Sequence, residues 1–193
     1  DPEVIGAEVF KSINGGKTWV KTNTSFIDDF YSSYGYYFGD ITVDQKNQER
    51  IYITGVPLLF SDNGGKTFQS IDGDNVHSDH HVVWINPNNP NHLVNGNDGG
   101  LNITYDNGKS WQLCNSIPVG QFYAVNVDEQ EPYNIYGGLQ DNGVWVGASN
   151  YSASIGWQQE GKYPYARLMG GDGMQIQIDK RNPNIVFTGY QYG

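Results

Sequence analysis

A single cysteine, Cys114, stands among the 193 residues, so no intrachain disulfide can form and pairing says nothing of the redox compartment. Its expected role is that of a small buried hydrophobe. Basic residues are scarce as well: 11 Lys and Arg against 21 Asp and Glu give a formal charge of −10. With the cations scattered, that balance argues against a nucleic-acid backbone or an anionic membrane surface as partner. No apolar run is long enough for a transmembrane helix, and no signal peptide is recognisable. No stretch of ten residues carries a 3.6-residue hydrophobic period, so helices are expected to be scarce.

What is present is aromatic and repetitive. Aromatic residues make up 14% of the chain, a composition that suits strands, and 37% hydrophobic content suffices for a core. One phrase occurs three times: Ser12-Ile13-Asn14-Gly15-Gly16-Lys17-Thr18-Trp19, Ser61-Asp62-Asn63-Gly64-Gly65-Lys66-Thr67-Phe68 and Thr104-Tyr105-Asp106-Asn107-Gly108-Lys109-Ser110-Trp111. Each reads as a hairpin turn with its own anchor. The Asn/Asp-Gly steps supply positive-φ residues, the short polar side chains of Asn14, Asn63 and Asp106 bond turn amides, and Trp19, Phe68 and Trp111 plug equivalent places between sheets.

A longer period sets the fold class. Val43-Asp44, Ile85-Asn86, Val127-Asp128 and Ile178-Asp179 each close an alternating strand, at spacings of 42, 42 and 51 residues. A repeat of that length built from short strands predicts an all-β propeller with four-stranded antiparallel blades. The clearest unit runs from an inner strand at His81 to Ile85, through a second at His92 to Asn95 and a third at Leu101 to Thr104, to an outer strand from Ser110. The predicted division is a half-blade at 1–39, blades at about 40–76, 77–119 and 120–171, and a half-blade at 172–193. The third full blade has no repeat phrase, although Trp157 keeps its aromatic position. About four blades' worth of chain follows, expected to be part of a larger propeller, with closure of the two half-blades into a small ring as the other reading.

Topology then sorts the polar residues. In a four-stranded meander, the turn between strands two and three lies at the same end as the entry to strand one. The repeat turns lie at the opposite end, as scaffold. The entry end gathers Asp40, Asp98, Asp141 and Asp172 as candidate catalytic carboxylates, and Asp79, His80, His81, Gln140, Asn142 and Arg167 as a candidate ligand-binding face. A competing reading has these Asp residues bonding their own turn backbones. His77, Asp79 and His81 are spaced by two, so in an extended segment they would point one way and could hold a metal. Asp72-Gly73-Asp74-Asn75 offers oxygen ligands of the kind calcium takes, without the length of a known loop. No cofactor is otherwise expected.

The repeat phrase resembles the Asp box of sialidases, of xyloglucan-hydrolysing propeller glycosidases and of sortilin-type receptor domains. The segments His77 to Pro87, Gly96 to Gly100, Gln121 to Val125 and Gly137 to Gly143 are most similar to large secreted bacterial propeller proteins of the sortilin-like class. That resemblance implies a secreted, periplasmic or cell-surface setting. Sialidase chemistry in the resembling family uses an arginine triad, and this chain has only Arg50, Arg167 and Arg181, with Arg167 alone near the entry end. Gly96 to Gly100 resembles the segment that carries a catalytic Asp in the xyloglucan enzymes, with Asp98 one place late.

Three functions follow as expectations. The leading one is a non-catalytic module that binds a protein partner or serves as a subunit of a larger assembly. The second is a polysaccharide hydrolase with paired Asp residues. The third is a carbohydrate- or metal-binding module without turnover.

Overall fold

The computed structural model describes residues 7–28, 30–31, 37, 39–114, 119–152, 154–160 and 163–192, with backbone alone at 157 and 158. Contacts divide the chain into two units, 1–117 and 118–193. In the first, β1 (Phe10–Lys11) and β2 (Val20–Lys21) form a two-stranded sheet. A four-stranded sheet follows from β3 (Asp40–Val43), β4 (Ile51–Thr54), β5 (Leu58–Ser61) and β6 (Gln69–Ser70). A second one is built from β7 (His80–Ile85), β8 (Leu93–Asn97), β9 (Gly100–Thr104) and β10 (Gln112–Leu113). The other unit has β11 (Phe122–Val127), β12 (Asn134–Leu139), β13 (Gly143–Ala148) and β14 (Tyr165–Met169) in one sheet, and β15 (Gly173–Ile178) with β16 (Val186–Tyr190) in another. Every pairing is antiparallel between strands consecutive in sequence, the meander of a propeller blade. One helix, α1 (Ile155–Glu160), is described; it lies between β13 and β14, where the third blade lacks the repeat phrase.

β4 makes plain why the sheets stack. All four of its residues are buried, and alternate ones serve opposite faces. Ile51 and Ile53 pack with Leu59, Val9 and Phe30, whereas Tyr52 joins Leu58, Phe60, Val83 and Trp111 against the next sheet. The period-two alternation of a strand therefore supplies two cores at once. In the second unit Tyr136, Val144 and Ile176 form the corresponding core.

Each inner strand ends in the same local loop. After each inner strand an Asx side chain accepts the amide two residues on: Asp44 from Lys46 at 2.8 Å, Asn86 from Asn88 at 2.9 Å, Asp128 from Gln130 at 3.2 Å and Asp179 from Arg181 at 2.8 Å. The amides of these four residues in turn donate to Arg50, His92, Asn134 and Ile185 carbonyls at 3.0 to 3.3 Å. Each Asx thus closes a seven-residue loop between strands one and two.

The three repeat turns share one bonding pattern. The Asn14, Asn63 and Asp106 side chains accept from the Thr18, Thr67 and Ser110 amides at 2.9, 3.0 and 2.9 Å. Ser12, Ser61 and Thr104 hydroxyls accept from Gly16, Gly65 and Gly108 amides at 2.9 Å in all three. Asn107 adopts φ 60°, where the other two turns have Gly15 and Gly64 at 67° and 72°. The Ser110 hydroxyl, two backbone amides and Thr104 bring the Asp106 carboxyl down to about 2.

Several expectations change here. In the predicted half-blade at 1–39 the described pairing joins Phe10 and Lys11 to Lys21 and Val20, with Ala7 bridging Ile27. The three aromatics do not share one environment: Trp111 is 7% exposed and donates to the Ile71 carbonyl at 2.8 Å, Phe68 packs on the first core, and Trp19 is 60% exposed and bonds Gly16 of its own turn. Cys114 is half-buried rather than buried. The side chain of Trp157 lies outside the described residues, as do residues 1–6 of the first predicted half-blade.

Candidate functional site

Backbone bonds bring the entry-end residues together within each unit. Asp98 N donates to the Asp79 carbonyl at 3.1 Å, Gln140 N to Gln121 at 2.9 Å and Gln191 N to Asp172 at 3.0 Å. At the opposite end, Gly64 N donates to Glu49 and Asn107 N to Asn91, both at 2.9 Å. The candidate carboxylates are therefore split, with Asp40 and Asp98 in the first unit and Asp141 and Asp172 in the second.

In the first unit, Asp98 Oδ1 lies 2.6 Å from His81 Nε2, a charge-assisted distance. Tyr37 meets the same imidazole edge-on at 5.3 Å. The local turn bond expected of Asp98 is made by its neighbour instead: Asn97 Oδ1 accepts the Gly99 amide at 3.0 Å. Asp40 opens β3 at the surface and lines a cleft of about 170 Å³ with Phe10 and Tyr31. Burial raises the Tyr31 phenol, which stays a donor there.

His80 does not belong to a binding face. It is fully buried, because β7 turns it toward Asn95 of β8, whose Oδ1 lies 2.9 Å from His80 Nδ1. Nor do His77, Asp79 and His81 converge on a metal. Asp79 has φ 63°, so the segment is not extended and the spacing-by-two argument fails. His77 packs over Gly99 with Nδ1 2.9 Å from the Ser78 carbonyl, Asp79 accepts from Ser78, and His81 faces Asp98. Among the described residues no three His, Cys, Asp or Glu side chains gather as metal ligands, Asp72 and Asp74 included.

In the second unit, Asp172 Oδ1 accepts the Asp141 backbone amide at 2.5 Å, and Asp141 sits at φ 58°. Asn142 donates to the Gln140 carbonyl at 2.9 Å, and Trp145 Nε1 donates to the Asn142 carbonyl at 2.6 Å. The Arg167 guanidinium lies along Gly143 and Gly170. Tyr123, which the sequence did not single out, stands beside both carboxylates: partial burial, then the charges of Asp172 and Asp141, raise its phenol. An exposed aromatic on an inner strand beside two recurring Asp positions is the signal that could have found it.

At the opposite end Arg50 is a structural residue. It reaches the Tyr52 hydroxyl at 2.9 Å, the Pro90 carbonyl at 2.9 Å and Asn107 Oδ1 at 3.0 Å, and stacks over Phe60. A cleft of about 380 Å³ lies between the first two repeat turns, lined by Lys11, Lys21, Lys66, Glu49 and Asn63, and holds none of the candidate carboxylates.

No protein-family model matches the chain, and no curated protein matches it. Among solved structures, a GH74 enzyme of Niastella koreensis is similar at TM-score 0.48 and 13% identity, over 94% of this chain and 29% of that one. The GH74 xyloglucanase of Xanthomonas campestris is similar at 0.45 and 14%, over 94% and 30%. YCF48, in a structure bound to D1 peptide, is similar at 0.43 and 14%, over 90% and 53%. The chain thus spans less than a third of the two glycosidases, and no residue role is carried over from likenesses this distant.

Proposed function

We propose that this chain is a non-catalytic interaction module, an extracytoplasmic Asp-box propeller of the sortilin-like class that binds a protein or a glycan. The observation that carries the reading is how the candidate carboxylates are used: Asp98 pairs with His81 and Asp172 holds the Asp141 amide. A general acid needs a carboxyl held above its ordinary value. It also needs that carboxyl free to reach the leaving group, whereas the Asp98 and Asp172 oxygens are engaged by the His81 ring and the Asp141 amide. Incubation with β-glucan and xyloglucan oligosaccharides should give no turnover above background. Turnover that vanishes in Asp98→Asn or Asp141→Asn with the fold retained would replace this reading.

The hydrolase reading keeps one observation on its side. Asp172 accepts the Asp141 backbone amide, and the charges of both residues act on Tyr123, so two carboxylates stand near one phenol in the second unit. The extracytoplasmic setting follows from the resemblance to secreted proteins, and fractionation of the source cells tests it.

A further inference from the structure

His80 has no exposed surface, and a chain of amides fixes its ring. Asn95 Nδ2 donates to the Val82 carbonyl at 3.1 Å, which leaves Asn95 Oδ1 to accept from Asn97 Nδ2 at 3.0 Å and to face His80 Nδ1 at 2.9 Å. Asn97 is itself oriented by the Gly99 amide on its Oδ1. With an acceptor opposite, His80 Nδ1 must carry a hydrogen. The other ring nitrogen, Nε2, has no hydrogen-bond partner and faces Asp72 Oδ2 at 3.7 Å. That separation is too short for a water between them and longer than a hydrogen bond. A bare lone pair on Nε2 would set two acceptors against each other in the interior, an uncompensated arrangement. A proton on Nε2 turns the same contact into an ion pair.

We propose that His80 and Asp72 form a proton-dependent latch: His80 carries hydrogen on both ring nitrogens, the Asp72 carboxylate balances its charge, and loss of the Nε2 proton releases the crossover between β6 and β7. Burial alone would raise the Asp72 carboxyl, but the facing His80 ring, the Ser70 hydroxyl and its own amide outweigh that and hold it below its ordinary value. Among the described residues no rival charge faces the ring. β8 and β9 bring Asn95, Asn97 and Asn102, and the β4–β5 turn brings the Gly55 carbonyl, which accepts the His80 amide at 2.8 Å. On the crossover itself Asp74 is exposed, His77 lies over Gly99 and Asp79 takes the Ser78 hydroxyl; on β7, His81 faces Asp98.

The crossover is pinned at both ends. Ile71 O accepts from Trp111 Nε1 at 2.8 Å, and Asp79 N donates to Val56 O at 3.0 Å. Between them Asn75 Nδ2 donates to the Trp111 carbonyl at 3.0 Å, and the latch adds its hold at the Asp72 end of this stretch, which presents His77 and Ser78 at the entry end. Opening it would change that surface whether or not the chain turns over a glycan.

Nitrogen-15 NMR of the histidine side chains tests this on the intact chain. At about pH 5.5 both His80 ring nitrogens should show protonated shifts. As pH rises His80 should convert to the Nδ1–H form, with the amide signals of residues 72–78 moving at the same midpoint. Asp72→Asn should lower that midpoint by about one unit or more, at least a roughly tenfold weaker hold on the proton. A His80 that is neutral throughout, signals at 72–78 that do not follow its titration, or an unchanged midpoint in Asp72→Asn overturns the latch. Should Asp72→Asn not fold, the wild-type titration alone decides.

Discussion

Replacing Asp128 by Asn probes the loop that closes the first two strands of a blade. Asp128 is 6% exposed, and five donors converge on it: the Gln130 and Asn134 amides at 3.2 and 2.8 Å, Gln130 Nε2 at 2.9 Å, Asn134 Nδ2 at 2.7 Å and the Tyr136 hydroxyl at 3.2 Å. An Asn in the same rotamer keeps one oxygen for the two backbone amides and turns an NH₂ toward the other three. Tyr136 can rotate its hydroxyl and accept, and exposed Gln130 can swing to water. Asn134 Nδ2 loses its carboxylate acceptor, and even a flipped amide would make only a neutral bond there, so the loss is the charge assistance of this contact, about 2 kcal/mol. Burial alone would raise the Asp128 carboxyl, but the bonds from Asn134 and Gln130 prevail and hold it at about 2. Against an unfolded value of about 3.9, its stabilisation is complete above the unfolded value and lost as pH falls through the folded one. Urea unfolding of wild type and Asp128→Asn, followed by tryptophan fluorescence at neutral pH and at steps down to about pH 2.5, reads both effects. The variant should be weaker at neutral pH, and the two curves should converge in acid. Equal stability at neutral pH, or equal acid slopes, would refute the reasoning.

Asp106→Asn should be well tolerated at neutral pH, because Asn63 holds the same turn with Nδ2 donating to Thr67 Oγ1 at 2.7 Å. It should remove the Asp106 share of acid sensitivity, which wild type loses as pH falls through about 2; a steeper acid transition in the variant would contradict this. Trp111→Phe should cost about 1–3 kcal/mol by stranding the buried Ile71 carbonyl. Trp19→Phe, on an exposed ring, should stay within about 0.5 kcal/mol in the same denaturation assay. Gly138→Ala would drive a methyl into the Gly173 and Met174 carbonyls of β15. It should cost about 3 kcal/mol or more, read as lost amide-exchange protection in residues 119–192 with 39–114 unchanged.

Much of the scaffold was legible because it is local. Four Asx positions bond two residues ahead and three repeat turns bond four residues ahead, so short windows of sequence carry their whole geometry. The candidate site was less legible because its partners are distant in sequence. Asp98 looked committed to its own turn, yet that work falls to Asn97, and Asp98 is left for His81, seventeen residues away. His80 and His81 were read as one exposed pair, but period two places them on opposite faces of β7, one buried and one not. Asp79 broke the proposed metal spacing through a positive φ with no adjacent glycine to signal it.

Departures from the repeat are more informative than the repeat. Counting by 42, Asn95 on β8 falls where β4 has Ile53 and β12 has Gly137. Two blades therefore fill that place with a side chain or a backbone that needs no polar partner, and the remaining one fills it with a buried amide bonded to Val82, Asn97 and His80. A buried polar network is costly unless every member is satisfied, and this one leaves His80 Nε2 and Asn102 Nδ2 without partners. An apolar residue at position 95 would fold the blade more simply, as Ile53 does next door. Stability does not account for the amide, since the same fold runs without it one blade earlier. Its effect is to fix the His80 ring with a hydrogen on Nδ1 and aim Nε2 at Asp72, so the place where the chain breaks its own pattern is the place where a proton can act on the entry end.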